Sequence, residues 1–301
     1  MSIRAVKRVQ PARPHLEGAG VKLQRAFGFG NTTDFDPFLL FDDFRNDNPD
    51  DYLAGFPWHP HRGIETITYV LAGHVEHGDS LGNRGSLGAG DVQWMTAGSG
   101  IMHQEMPKGD PQGRMHGFQL WANLPASLKM TAPRYQDVPA QAIPEVVDDD
   151  GTRVRVIVGD FWGKRGPVEG VAADPRYIDV SVPPGQRKRL AVESSRHAFA
   201  YVFAGSGTFR DASEPRGVLT EHVDGSDALT RDDTGNRSLV LFDSGDEVVV
   251  QAGDEGIRFL LVSGKPIEEP VAWYGPIVMN TQAQLQEAVA ELRNGTFIKQ
   301  R

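Results

Sequence analysis

An internal repeat constrains this chain more than any other feature. Tyr69-Val70-Leu71-Ala72-Gly73 reads like Tyr201-Val202-Phe203-Ala204-Gly205, and Gly90-Asp91 leading to Ala97-Gly98 returns as Gly245-Asp246 leading to Ala252-Gly253 at the same spacing. Two copies of a glycine-bounded, β-branched and aromatic pattern imply a tandem duplication of one β-module. The 301 residues are enough for two modules, each able to bury a core. The run APRYQDVPAQAIPE, with three prolines, reads as a linker and divides the chain into residues 1–134 and 135–301. The expected class is all-β, two antiparallel β-barrels with one short C-terminal helix.

Strands are expected at Val21–Phe27, Phe38–Phe44, Ile64–Leu71, Asp91–Met95 and Met115–Leu124, with a turn-rich connection between the first two. Gly28 and Gly30 lack the third glycine and the helix of a dinucleotide site, and the Leu81–Gly90 segment lacks the lysine of a phosphate loop, so both read as turns. At the N-terminus, Ile3, Ala5 and Val9 share one face at period two, opposite Arg4, Arg8 and Gln10, which suggests an edge strand. Thr281 with Gln284 forms a capping-box pattern. Leu285, Ala288, Val289 and Leu292 make a buried stripe behind it, and Gly295 is placed to stop the helix.

The chemistry gathers between Gly55 and Pro107. His59 and His61 stand two apart in HPH, and His103 and Glu105 stand two apart in HQE. On a strand, residues i and i+2 project to one face, so each pair aims two donor atoms at one place. Brought together by a hairpin or barrel, three imidazoles and a carboxylate suit a first-row divalent ion, and the absence of cysteine excludes thiolate sites. Four protein donors on a six-coordinate ion leave two adjacent positions for substrate, water or dioxygen. A single H-x-H pair is often only a pair of ordinary histidines; two such pairs in one strand region point to a metal.

In the second copy the matching positions are Ala191, Glu193, Arg258 and Leu260, so one metal is expected, in the N-terminal module. His74 and His77, three apart, face opposite sides of a strand and read as solvent-facing or hydrogen-bonding. His116 reads as a satisfied core histidine, and His197 and His222 as structural. The polar stretch Arg210–Arg237 is longer than its counterpart in the first copy and reads as a hairpin excursion or loop.

With 40 acidic against 31 basic residues and a formal charge of −9, the chain offers no concentrated positive face for nucleic acid. The basic N-terminus has no apolar core of a signal peptide, and no apolar run is long enough to span a bilayer, so a cytoplasmic protein without membrane contact is expected. Ser99 lies in GSG, without the spacing of a nucleophile elbow.

The strings HPHRGIET, DVQWMTAGSGIMHQEMP, HGFQLWANLP and GPIVMNT resemble the pirin family, two-barrel members of the cupin superfamily, over nearly the whole chain. The resemblance implies two antiparallel barrels face to face and one metal on His59, His61, His103 and Glu105, most often iron(II), with manganese, nickel, cobalt, copper and zinc as alternatives. In the broader cupin pattern the carboxylate follows the first histidines closely, where Glu65 stands; the pirin pattern uses Glu105, and Gly63 offers a kink that turns Glu65 away. Bacterial members similar to this chain include quercetin 2,3-dioxygenases. The implied reaction is ring opening of a flavonol with O2 and loss of carbon monoxide, with Glu105 taking the substrate's proton and Phe56, Trp58 and Met106 as wall residues. The alternative implied by the family is a redox-sensing regulatory module that uses its metal to bind a protein partner. A third reading is a non-redox cupin using zinc or manganese, and oligomeric state stays open.

Overall fold

In the computed structural model, which describes residues 1–30, 32–209 and 234–299, all but a few short helical segments are strand, turn or loop. The chain forms two compact units that are discontinuous in sequence. One comprises residues 1–11, 145–155 and 178–263, the other residues 12–144, 156–177 and 264–301. Each terminal segment is thus clustered away from its own half of the chain. No helix among the described residues is long and apolar enough to cross a membrane.

The unit carrying the histidine pairs is built on two antiparallel sheets. The larger has seven strands in the order Arg134–Val138, Val92–Thr96, Ile64–Ala72, His116–Asn123, Phe38–Asp43, Val21–Phe27, Arg13–Glu17. The smaller has four, in the order Phe56–His61, Ile101–Lys108, His74–Asp79, Arg84–Leu87. Alternation decides which face each strand buries. In Ile64–Ala72 one face carries Ile67 and Tyr69, fully buried, with Tyr69 packed edge-on to Tyr177; the other carries Thr66 and Thr68, of which Thr68 lines the cavity described below. Apolar clusters hold the two ends of the unit. Val21, Leu23, Phe44, Val70, Val75 and Met115 form one, and Leu39, Ile64, Met95, Ile101 and Val278 the other.

The proline-bearing run expected as a linker is more ordered than that. Arg134–Val138 pairs with Val92–Thr96 as an edge strand, with Val138 buried opposite Val92 and Tyr135 partly buried opposite Met95. The connection expected as a plain turn after Phe27 contains a short helix, Thr32–Phe35, whose Phe35 ring stacks on Phe27 at 3.8 Å.

The other sheet has nine strands and runs Val6–Pro11, Ser238–Phe242, His197–Phe209, Glu247–Gly264, Arg176–Val182, Arg153–Val158, Glu145–Val147 along its main path. The N-terminal strand lies at its edge, as its alternation suggested, and its apolar side chains are not the buried ones. Val9 is half exposed, while Arg4 is buried because its guanidinium donates to the carbonyls of Asp243, Glu193 and Arg196. Three carbonyls outbid a small apolar stripe. Of the expected Arg210–Arg237 excursion, residues 210–233 lie outside the described residues, as does His222.

The C-terminal helix spans Gln282–Asn294 with the capping box on Thr281 and Gln284 and with Gly295 left-handed at φ 73°. Leu285 and Ala288 are buried, but Leu292 is 37% exposed, so the buried stripe is shorter than its pattern suggested.

Candidate metal centre

Register explains why the two histidine pairs meet. Phe56–His61 and Ile101–Lys108 are antiparallel neighbours, with His103 directly opposite His59 and Ile101 opposite His61. The period of two then turns His59, His61, His103 and Glu105 to one face. The potential ligand atoms of His59, His61 and His103 all lie within 4.8 Å of one another, and Nε2 of His59 is 3.0 Å from Nε2 of His61. Glu105 Oε2 stands 3.9 Å from His103 Nε2.

The donor set fits a cation. The Nδ1–H of His59 donates to the carbonyl of Pro57 at 2.8 Å, which leaves its Nε2 lone pair toward the cluster. His103 is 1% exposed, and neither of its ring nitrogens has a hydrogen-bond partner. A buried imidazole left unpaired is costly, and an ion between the three rings would satisfy its inward nitrogen. Burial pushes the pKa of all three rings down. For His61 the neighbouring His103 and His59 push it further, as His59 and His77 do for His103. The imidazoles are therefore held in the neutral form that ligates. Trp121 packs edge-on against His61 at 5.4 Å and fixes its plane.

Two carboxyls could supply a fourth donor, the buried Glu65 and the partly buried Glu105, and the backbone separates them. His61 and Glu65 share parity, so a straight strand would aim them alike. Gly63, at φ 75° between them, reverses the facing, and an added Cβ there would lie 1.9 Å from the carbonyl oxygen of Val278. Glu65 therefore lies on the side of its strand away from Thr68 and accepts from Thr96 Oγ1 at 2.7 Å. Glu105 faces the cluster, and its Oε1 accepts from Thr68 Oγ1 at 3.3 Å. Burial raises each carboxyl to about 7. A cation beside Glu105 would reverse that shift, whereas Glu65 has no such neighbour in the cluster.

A cavity of about 470 Å³ opens onto His59, His61 and Glu105. Its walls are mainly apolar, including Leu23, Leu40, Phe44, Val75 and Trp121, and Phe29, Gly275 and Pro276 also line it. Of the anticipated wall residues only Phe56 lines it; Trp58 is 52% exposed on the other side of its strand, and Met106 also projects outward.

Of the remaining histidines, His77 takes the hydrogen-bonding one of its two expected roles, and His116 departs from expectation. His77 is buried, its Nε2 3.0 Å from Gln93 Nε2 and its ring stacked near Tyr135, so it is a hydrogen-bonding residue and not a solvent-facing one. His116 is no core residue: it is partly exposed, with Nε2 2.6 Å from the exposed Asp47 carboxylate. In the other unit Ala191 and Glu193 are exposed, Leu260 is buried, and Arg258 makes a two-bond ion pair with the buried Asp179. Among the described residues, His59, His61 and His103 make the one cluster of potential donors.

Sequence reasoning missed the residues that brace this centre. Arg62, between His61 and Gly63, is buried. Its Nε donates to the Ser99 carbonyl at 2.7 Å and an Nη to the Phe297 carbonyl at 2.8 Å, and it pairs with Glu291 at 2.8 Å. Lys129 is buried too, with Nζ donating to the Gly63 carbonyl at 2.9 Å and to Asn123 Oδ1 at 2.7 Å; burial pulls its pKa down to about 7. The signal for Arg62 stood inside HPHRG, where a charged residue flanks a metal-type pair on a strand.

The family model described as Pirin matches residues 20–122, and that described as the Pirin C-terminal cupin domain matches residues 177–298. A pirin-like protein of Caulobacter vibrioides is 44% identical, covering 99% of this chain and 100% of its own. A Pseudomonas aeruginosa protein carried under the provisional name quercetin 2,3-dioxygenase is 39% identical over 98% of both chains. The crystal structure of a quercetin 2,3-dioxygenase from Acinetobacter baumannii is 30% identical, with a TM-score of 0.84 over 98% of this chain and 99% of that one.

Proposed function

Because this chain belongs to the pirin family, we propose that it is an iron(II)-dependent dioxygenase that opens the heterocycle of a flavonol such as quercetin with O2 and releases carbon monoxide. The observation that carries this reading is the mainly apolar cavity that has His59, His61 and Glu105 in its wall, with His103 completing the cluster behind them. The relatives named for quercetin cleavage support it. His59, His61, His103 and Glu105 would hold the ion. When bound there, a divalent iron supplies Lewis acidity toward a hydroxyl and redox chemistry toward dioxygen.

The protein's own groups have the remaining tasks. Neutral imidazoles supply ligand lone pairs without a proton to displace at pH 7. Glu105 accepts the proton of the flavonol 3-hydroxyl, a role its place at the cluster allows, with Oε2 3.9 Å from His103 Nε2. Thr68 orients that carboxylate through Oε1. Leu40, Phe44 and Trp121 keep water away from the charged centre, which strengthens every electrostatic interaction in it.

The test is carbon monoxide release and oxygen uptake from quercetin by iron(II)-loaded protein, beside a His59→Ala/His61→Ala variant. Stoichiometric release that vanishes in the variant supports the reading. No release from protein holding one iron per chain would overturn it in favour of a metal-dependent protein-binding module.

A further inference from the structure

One row of polar side chains crosses the floor of the cavity, and the metal centre uses only its end. Antiparallel register sets Thr68 beside Gln119, Gln119 beside Asp42, and Asp42 beside Arg25, on four successive strands. All four residues line the cavity. The flanking rows are apolar: Trp121 pairs with Leu40 on one side, and Phe44 bonds to Gly117 on the other. At roughly 4.8 Å per strand, the row runs about 14 Å from Thr68 to Arg25. That span matches an elongated aromatic molecule with one end beside Glu105, to which Thr68 is bonded.

The row is held in place from within. Thr68 Oγ1 shares its one proton between Gln119 Oε1 at 2.8 Å and Glu105 Oε1 at 3.3 Å, which orients the amide and leaves its NH2 as the donor for another group. Arg25 grips Asp42 with two bonds, Nε to Oδ1 and Nη to Oδ2, each 2.7 Å. A carboxylate offers about four acceptor sites, and the guanidinium takes two. Asp42 is only 4% exposed, so the remaining acceptor capacity lies in a place that water reaches poorly and a ligand hydroxyl can fill.

We infer that this row reads the oxygen pattern of the substrate: the Gln119 amide binds an oxygen next to the one at the metal centre, and Asp42, braced by Arg25, accepts the O–H of a ring at the far end. The inference rests on the dioxygenase reading for the choice of a flavonol, and it adds that hydroxylation of the distal ring is selected. A site built to pair a hydroxyl discriminates against the analogue that lacks it, because its own polar groups are left unpaired.

The probes are quercetin and 3-hydroxyflavone, the same ring system with no hydroxyl on either outer ring. Dissociation constants are measured anaerobically by fluorescence on metal-loaded protein, with KM and kcat in air and with metal content as a control. Wild-type protein is expected to prefer quercetin by about tenfold or more, and Arg25→Met/Asp42→Leu to lose most of that preference, in Kd and KM more than in kcat. Removing both charges together leaves no buried orphaned ion, because Glu17, the other carboxylate on Arg25, is exposed to water; Asp42→Asn offers a second, gentler variant with the same expected direction. An unchanged preference in a metal-replete variant, or no preference in the wild type, would overturn the inference. Preference without carbon monoxide release would refute the dioxygenase reading and uphold the row; release without preference would do the reverse.

Discussion

Replacing Arg62 by methionine tests how far the metal strand depends on the C-terminal segment. The substitution keeps an unbranched chain of similar reach and removes the guanidinium from a buried position. Three partners lose their donor: Glu291 at 2.8 Å, the Ser99 carbonyl at 2.7 Å and the Phe297 carbonyl at 2.8 Å. A broken buried ion pair costs about 3–5 kcal/mol, and the 19% exposure of the Glu291 side chain, which admits water, puts this one near 3. Each orphaned carbonyl adds about 1 kcal/mol or more, so the total is about 4–6 kcal/mol, with the stacking of Arg62 over Phe297 included in the upper figure. At roughly 2–4 °C per kcal/mol, the unfolding midpoint falls by about 8–24 °C. Thermal unfolding followed by circular dichroism, with and without added iron(II), measures it. Arg62→Met/Glu291→Met is expected to recover the part due to the stranded carboxylate. A loss under about 1 kcal/mol in the single variant, typical of a surface pair, would refute the claim that Arg62 ties Ser99, Phe297 and Glu291 to the histidine strand.

Three further perturbations bear on the centre itself. Glu65 titrates at about 7 in the folded chain against 4.5 for the free group, so its contribution to stability is fully present below pH 4.5 and is lost as pH rises through 7. That amounts to on the order of 3 kcal/mol, and denaturant midpoints across this window should show a shallower pH dependence in Glu65→Gln; parallel curves would sink the assignment. Gly63→Ala meets both a left-handed φ and the Val278 carbonyl, whereas Gly185→Ala, at φ 68° with open space, meets only the first. The former should lower the midpoint well beyond the ~1–2 kcal/mol of the latter and weaken metal retention, and equal losses would refute the close approach. His103→Ala and Glu105→Gln should each lower the metal content of purified protein from near one ion per chain. A wild-type ratio near two, or metal lost on Glu65→Gln but kept on Glu105→Gln, would reverse the ligand set.

Much of this was legible because strands repeat every two residues. The spacing of His59 with His61 and of His103 with Glu105 foretold a shared face, and the duplicated Tyr-to-Gly segments foretold a second module in which Arg258 stands where His103 does. What sequence could not settle depends on partners far along the chain. Glu65 and Glu105 are equivalent by parity until Gly63 takes its positive φ. The burial of Arg4 rests on the carbonyls of Glu193, Arg196 and Asp243, far along the chain. The edge strand Arg134–Val138 was hidden by flanking prolines. The row from Thr68 to Arg25 exists only through cross-strand register, since its members are scattered over the sequence and each is an ordinary polar residue there. The same holds for Lys129, a lysine whose burial no local pattern announces.

The most direct test of the central claim is the fate of the oxygen atoms when iron(II)-loaded protein turns over quercetin under 18O2. A flavonol dioxygenase must place both labelled atoms in the ring-opened product and release unlabelled carbon monoxide, whose oxygen derives from the substrate's own 3-hydroxyl. One labelled atom, none, or an oxidised product that keeps its carbon would contradict the account, whatever the rate of oxygen uptake.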